Sequence, residues 1–200
     1  MNNKSKTVSL AGTAVLAAIV VVLQLFASTI KVGPFTITLA LVPIIIGSIV
    51  FGKGAGATLG AVFGAIVCYS VITGADVGGY IMFQQNPVIT LLVCMAKSTL
   101  AGFLAGLFAQ LINKTALKSK TTVSAAAAAV ICPVVNTGIL SVAMITIFYD
   151  LVSSWAVDAG FSSPISYIIL GMVGINFLVE LAINIVFVPA ITHIIKAVRR

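Results

Sequence analysis

The stretch LAGTAVLAAIVVVLQLF, Leu10–Phe26, contains no charged side chain and decides the class of the protein. It lies in an apolar run that extends from about residue 8 to residue 30. About 20 apolar residues are enough for an α-helix to cross the hydrocarbon core of a membrane, whereas the apolar part of a cleaved signal peptide is shorter. The stretch therefore predicts a first membrane-spanning helix that stays in the protein.

The composition of the whole chain leads to the same class. Hydrophobic residues make up 60% of the 200 residues, charged residues only 8%, and the mean hydropathy is +1.23. A soluble domain is typically about 45–50% apolar and about 25% charged. A water-soluble globule of this size cannot bury so much apolar surface. We therefore predict an integral membrane protein.

Six apolar segments are long or apolar enough to be considered as spans. They lie at about 8–30, 38–52, 55–73, 87–112, 122–149 and 164–195. The second is short and is interrupted by Pro43, and a tight turn at Gly52-Lys53-Gly54 separates it from the third. The predicted fold class is thus all-α: a polytopic membrane protein of six transmembrane helices, forming a single domain over residues 1–200.

The distribution of charge predicts the orientation of these spans. With a cytoplasmic N-terminus, the basic residues on the cytoplasmic side are Lys4, Lys6, Lys53, Lys114, Lys118, Lys120, Lys196, Arg199 and Arg200. The outer side then holds Lys31 and three of the four acids, Asp76, Asp150 and Asp158. Lysine and arginine are enriched in cytoplasmic loops, so both termini are predicted to be cytoplasmic. The same placement accounts for the net charge of +7 without a nucleic-acid partner, for which no basic stripe with interleaved aromatics is present.

Small residues recur at four-residue spacing on several predicted helices. Ala14 and Ala18 form such a pair on the first span, and the third and fourth spans carry the pairs Gly60–Gly64 and Gly102–Gly106. This spacing puts two small side chains on one helix face, so that another helix can approach closely. The partner helix can belong to the same chain or to another protein, and the spacing leaves both interpretations open.

Two charged side chains fall well inside predicted spans, Lys97 and Glu180. Burial of either is expensive unless it is paired or hydrated. From the helix rise, Lys97 lies roughly 15 Å, Asn136 roughly 20 Å, Asn176 roughly 18 Å and Glu180 roughly 24 Å from the outer end of its span. Asn176, Glu180 and Asn184 share one helix face, which should point into the bundle because lipid offers no hydrogen bonds.

Two interpretations of this polar set remain open, and they can overlap. Lys97 and Glu180 can form a buried ion pair whose remaining valences the amides satisfy. Alternatively, the set lines a pocket for a small polar molecule. The outer segment GADVGGYIMFQQNPV, at 74–88, favours the pocket because it mixes aromatic side chains with amides such as Gln84 and Asn86. Asn86 precedes Pro87 and is also a good helix N-cap residue.

Sequence motifs that would supply catalysis or energy are missing. The chain has no HExxH, no GxSxG and no nucleotide-binding P-loop. Cys68, Cys94 and Cys132 lie in apolar runs without metal-ligand spacing, which is typical of small buried hydrophobes. We therefore expect no catalytic residue, no metal site and no cofactor, and any ATP hydrolysis would belong to partner subunits.

Four segments together resemble the substrate-binding S components of energy-coupling factor (ECF) vitamin transporters. They are AGTAVLAAIVVVLQLF at 11–26, GPFTITLALVPIIIGSIVFGKGAGATLGAVFG at 33–64, KSTLAGFLAGLFAQLI at 97–112 and GINFLVELAINIVFVPAI at 174–191. Their order, their spacing and the six-span layout carry the resemblance, which covers nearly the whole chain.

The resemblance implies a function and a set of residues. S components capture a micronutrient, usually a B-type vitamin, at an outward-facing site, and they dock onto a transmembrane T component powered by two ATP-binding subunits. The whole subunit is thought to topple in the membrane so that the site faces the cytoplasm. By position, the docking residues would be Ala14 and Ala18, and the substrate-binding residues would be Lys97, Glu180, Asn176, Asn136, Gln84 and Asn86.

The substrate and one rival function remain open at this point. Lys97 favours a carboxylated vitamin such as pantothenate or folate, although a neutral one such as riboflavin also fits a pocket with amides. The rival function is a stand-alone secondary carrier or channel for a small polar solute, coupled to protons through Glu180. Such a carrier would not need Ala14 and Ala18 as a docking face.

Overall fold

The computed structural model describes residues 3–27, 31–32, 35–36, 38–114 and 121–198. The elements are α1 (Asn3–Ala27), β1 (Lys31–Val32), β2 (Phe35–Thr36), α2 (Leu41–Val50), α3 (Lys53–Ile72), α4 (Val77–Gln85), α5 (Pro87–Lys114), α6 (Thr121–Thr146), α7 (Tyr149–Asp158), α8 (Pro164–Ser166), a π-helical segment (Tyr167–Met172), α9 (Val173–Val186) and α10 (Val188–Val198). Apart from the short antiparallel pair β1–β2, every described element is helical, so the prediction of an all-α polytopic membrane fold is confirmed.

Five described helices are long and apolar enough to cross a membrane. These candidate spans are Lys6–Phe26, Lys53–Ile72, Pro87–Lys114, Thr121–Thr146 and Pro164–Val186. The remaining predicted span, the second in the chain, corresponds to helix α2. The 10 residues of α2 extend only about 15 Å. The short second span is thus present as a half-length helix. The cytoplasmic position of both termini continues to rest on the distribution of lysine and arginine.

The prediction that Pro43 interrupts the second span is wrong. Pro43 is the third residue of α2, where the backbone N–H has no intrahelical acceptor and its loss costs nothing. The predicted turn after α2 is confirmed, because Gly52 has a φ of 95° and α3 begins at the next residue. A positive φ of this size favours glycine.

The last predicted span, 164–195, is not one regular helix. A π-helical segment precedes α9, and a Cβ at Gly174 would collide with the Ile169 carbonyl oxygen, so glycine permits this winding. At the other end, a turn at Phe187 separates α9 from α10. Pro189 is the physical reason, since proline donates no backbone hydrogen bond and crowds the preceding turn.

Glycines join α3 to α5 at the centre of the bundle. A Cβ built at Gly60 would collide with the Ser98 carbonyl oxygen, and one built at Gly102 would collide with the Gly56 carbonyl oxygen. The two helix backbones therefore touch at these positions, as small residues in membrane helices allow. The glycine pairs singled out in the sequence serve internal packing.

Replacing Gly60 by alanine is expected to lower the thermal unfolding midpoint of the detergent-purified protein. Overpacking against fixed backbone costs typically about 1–3 kcal/mol. The matched control is Gly138→Ala on α6, because a Cβ at Gly138 meets no atom within 4 Å. This control is expected to be neutral or slightly stabilising, since alanine is the better helix former. Equal midpoints for the two variants would contradict the packing described above.

The two outer connections contain helices, although the sequence suggested loops there. Helix α4 occupies much of the segment 74–88, and α7 lies in the connection between α6 and α8. Asp76 caps α4 because its carboxylate accepts a hydrogen bond from the Gly79 N–H at 2.9 Å. These short helices form the outer end of the described bundle.

Buried apolar side chains form two clusters. The larger draws on α2, α3, α5 and α6 and includes Ile191 and Ile195 of α10. The smaller lies at the outer end and consists of Met82, Met144, Phe148, Val152 and Ile168. Cys94 and Cys132 are buried and form no disulfide, as expected. Cys68 also forms no disulfide, but it is only half-buried.

Candidate functional site

Glu180 lies on α9 with 3% of its surface exposed. Its carboxylate accepts a hydrogen bond from the backbone N–H of Thr38 at 3.1 Å. Thr38 precedes α2, so the acid ties the beginning of that helix to the last span. A carboxylate that accepts a backbone N–H makes a charge-assisted hydrogen bond, which is stronger than a neutral one. The partner of Glu180 is therefore a backbone amide 142 residues away in the chain.

Lys97 lies on α5 and is also buried, with 9% of its surface exposed. Among the described residues, no salt bridge within 4.0 Å joins it to Glu180, although the two charges interact at longer range. The side chain lines a cavity of about 20 Å³ together with Asp76, Thr90 and Leu140. Lys97 therefore shares a cavity with Asp76 and, among the described residues, forms no direct pair with Glu180.

Asp76 was assigned to the outer side from the sequence, but its side chain is buried beside the Lys97 cavity. The cap of α4 turns it inward, since Asp76 lies at the N-terminus of that helix and its carboxylate holds the Gly79 N–H. Three charged side chains, Lys97, Glu180 and Asp76, are therefore buried in the bundle, where the sequence had indicated two.

Two of the amides predicted to line the site, Asn136 and Asn176, have buried carboxamide oxygens, although the Asn176 side chain as a whole is only half-buried. Asn136 on α6 is 4% exposed, and neither its Oδ1 nor that of Asn176 on α9 has a hydrogen-bond partner among the described residues. The helix segments that carry them face each other, because Thr137 and Phe177 line one common groove. An unsatisfied buried acceptor costs about 1–3 kcal/mol, so these oxygens call for a donor from water or from a ligand.

Asn184 belongs to the same helix face but has a local role. Its Nδ2 donates to the Glu180 carbonyl oxygen at 2.7 Å, one turn earlier in α9. Its Oδ1 has no described partner. The Asn184 amide N–H is therefore used within α9 and does not contact another helix.

A further amide, Gln24, was missed by sequence reasoning. It lies on α1 with 2% of its surface exposed, and its Oε1 has no described partner. The signal was available, because an amide in the otherwise apolar run VVVLQLF is as unusual as Asn136 in α6. The predicted site drew on the last three spans and on the outer segment 74–88, and it therefore left out α1.

Comparison with known proteins decides the family. The model of a family described as the ECF transporter, substrate-specific component, matches residues 8–192. The chain is an ECF substrate-specific component. The Pantothenic acid transporter PanT of Lactococcus lactis subsp. cremoris is similar to it, with 28% identity over 207 aligned residues that cover 98% of this chain and 97% of the relative. The resemblance inferred from the sequence is confirmed, as is the assignment to a multi-pass cell-membrane transporter family.

Two predicted binding residues of this substrate-specific component lie apart from the buried set. Gln84 is exposed on the last turns of α4. Asn86 caps α5, because its Oδ1 accepts a hydrogen bond from the Ile89 N–H at 3.2 Å. The capping interpretation of Asn86 therefore has a structural basis, and binding by Gln84 or Asn86 stays a prediction.

Ala14 and Ala18, the predicted docking residues of this substrate-specific component, are both exposed on α1. Other positions attach α1 to the bundle: Gly12 lies against the Phe51 ring, and Leu16 lies close to Gly47. The pair is therefore not used for packing within the described chain. Their docking role stays a prediction, but the face that it requires is open.

Removal of the Glu180 acceptor is expected to free the Thr38 amide. In Glu180→Leu, hydrogen–deuterium exchange of the peptide that contains Thr38 should accelerate about tenfold or more, since a hydrogen bond to a charged group is worth about 1.5–3 kcal/mol. Glu180→Gln is the matched control, because its amide oxygen still accepts from the Thr38 N–H. The Thr38–Glu180 bond does not hold this segment if exchange accelerates equally in both variants. The same conclusion follows if neither variant exchanges faster than the unmodified protein.

Proposed function

We propose that this substrate-specific component captures pantothenate at an outward-facing polar site. The observation that carries the proposal is its full-length similarity to a protein named as a pantothenic acid transporter. The described polar residues supply matching chemistry. Pantothenate presents a carboxylate at one end and hydroxyl groups and an amide N–H along the remainder of the molecule.

Each kind of ligand group has a counterpart in the candidate site. The Lys97 ammonium is the cation available for the carboxylate. The unpartnered oxygens of Asn136 and Asn176 are acceptors for the hydroxyl and amide hydrogens. A site built to hydrogen-bond a substrate rejects analogues that leave its buried groups unpaired. This set therefore favours a ligand with several donors and one negative charge.

The described conformation is closed around Lys97. The cavity beside it is about 20 Å³, enough for a water molecule but smaller than a vitamin. Helix α4 contributes Gly79 and Met82 to the outer wall of this cavity. We infer that α4 moves to admit the ligand.

Delivery to the cytoplasm is assigned to partners. The sequence has no P-loop, so we propose that the loaded subunit docks onto a T component and two ATP-binding subunits. The exposed Ala14–Ala18 face supports this arrangement, because small side chains let a second helix approach closely.

The experiment for this function is identification of the ligand that accompanies the protein. The chain is expressed in its native type of host, purified by size exclusion and denatured, and the released small molecules are analysed by mass spectrometry. Pantothenate in stoichiometric amount is the expected result. Release of a different vitamin would agree with vitamin capture but would contradict pantothenate as the substrate.

A further inference from the structure

Two cysteines, Cys68 on α3 and Cys94 on α5, lie at the contact between these two helices. Each continues a row of small residues at four-residue spacing, and the rows are Gly60–Gly64–Cys68 and Cys94–Ser98–Gly102. Residues at this spacing share one helix face. A Cβ built at Gly64 would lie 3.2 Å from the Cys94 carbonyl oxygen. The close glycine packing of α3 on α5 therefore also brings the cysteines to the same contact.

The side chains of the two cysteines meet. The Cys68 thiol donates a hydrogen bond to the Leu91 carbonyl oxygen of α5, with 3.7 Å between sulfur and oxygen. Leu91 precedes Cys94 by about one helical turn, and the two thiols are hydrogen-bonded to each other. A disulfide requires two backbones that approach closely and sulfurs that point towards each other. This pair fulfils both conditions.

The two thiols differ in their exposure. Cys94 has 5% of its surface exposed, whereas Cys68 is only half-buried. Cys68 lies four residues before the end of α3, which is roughly 6 Å along the helix axis. The lysine and arginine distribution assigns this end to the outer side, where the reducing thiols of the cytoplasm are absent. A reagent from outside the cell therefore reaches Cys68 first.

We propose that Cys68 and Cys94 are an oxidisable dithiol, which a low-molecular-weight disulfide from outside the cell converts into a cross-link between α3 and α5. The Cys68 thiol loses its proton, and its sulfur attacks one sulfur of the reagent, so that one thiolate leaves and a mixed disulfide remains. The Cys94 thiol then loses its proton, and its sulfur attacks the Cys68 Sγ and releases the second thiolate. The two released thiolates take up the two protons, and two electrons pass from the cysteine pair to the reagent.

The cross-link would lie beside the Lys97 cavity. Cys94 lines this cavity together with Lys97 and Met82. A bond from Cys94 to Cys68 would fix this part of the cavity wall to α3. Oxidation is therefore expected to hold the α3–α5 contact in place at its outer end, and reduction to release it.

The test uses the full-length protein, purified in detergent, reduced, and then incubated with bis(2-hydroxyethyl) disulfide, a small uncharged reagent. Free thiols are alkylated after denaturation and counted by intact mass spectrometry, and peptide mapping identifies the joined residues. Of the three cysteines, only Cys132 is expected to remain free. Cys132 is the internal control because it is completely buried on α6.

Three serine variants test the order of the two steps. Cys94→Ser should stop at the mixed disulfide, with one mercaptoethanol group bound to Cys68. In Cys68→Ser, the buried Cys94 should react with the reagent about tenfold more slowly or less, since thiol reactivity requires access. Cys132→Ser is the matched control and should form the cross-link to the same extent as the unmodified protein.

The proposal is overturned if the unmodified protein keeps all its thiols, or if it accumulates separate mixed disulfides without a bond between Cys68 and Cys94. It is also overturned if Cys68→Ser still loses two thiols as fast as the unmodified protein. All these outcomes are measured without a vitamin and do not depend on pantothenate binding.

Discussion

Replacing Ala14 and Ala18 together by tryptophan is expected to abolish pantothenate uptake by cells while the purified protein still binds the vitamin. Both alanines are exposed on α1, whereas the bundle holds α1 through other positions such as Gly12 and Leu16. Two bulky side chains on this face would separate the two helix backbones and remove the close approach that small residues allow. The proposed binding residues Lys97, Asn136 and Asn176 lie on other elements, so vitamin binding should be unaffected.

The control for this prediction introduces the same two tryptophan side chains on a different face of α1. Val8 and Val15 are also exposed on α1, at 64% and 62%, but they lie roughly 60–120° around the helix from the alanine pair. Tryptophan at both valines should leave most of the uptake. Uptake that remains normal in the alanine variant, at equal expression, would favour a stand-alone carrier over a subunit that docks.

Replacing Lys97 by alanine is expected to weaken pantothenate binding about 10- to 100-fold. The estimate follows from the loss of a charge-assisted hydrogen bond, worth about 1.5–3 kcal/mol. Lys53→Ala is the comparison, because Lys53 lies at the beginning of α3 over the Phe103 ring, outside the candidate site. Equilibrium binding of radiolabelled pantothenate to the purified Lys97→Ala and Lys53→Ala variants measures the two dissociation constants.

A purely structural role of Lys97 predicts a different pattern. Lys97 shares its cavity with Asp76, so its removal also changes the environment of a buried acid. That effect would weaken the binding of every ligand equally. Pantothenol, in which an alcohol replaces the carboxylate, separates the two roles: its affinity should be nearly the same for the unmodified protein and Lys97→Ala. An equal loss for both ligands would remove Lys97 from the binding site.

The spans could be predicted from the sequence because membrane helices are specified by local composition. The apolar runs from Lys53 to Ile72 and from Pro87 to Lys114 are uninterrupted and give nearly the same bounds in the structure. Short helices at the membrane surface carry no such signal. The beginning of helix α4 is marked by one cap residue, Asp76. The division between α9 and α10 is caused by Pro189, which interrupts the helix locally without changing the apolar composition of the segment.

The candidate site could be predicted only in part. Burial of Lys97, Asn136 and Glu180 follows from the cost of polar groups in lipid, and the structure buries all three. Their partners are contacts between distant segments, such as Thr38 with Glu180, which no pattern within a single span reveals. Gln24 was overlooked for a different reason: it carried the same local signal but lay outside the spans considered.

The most direct test of the account is calorimetric titration of the purified, ligand-free protein with pantothenate and with pantothenol. The account predicts saturable binding of one pantothenate per protein and an affinity for pantothenol about 10- to 100-fold weaker, because the alcohol cannot use the Lys97 charge. Absence of pantothenate binding, or equal affinity for the two compounds, would contradict it.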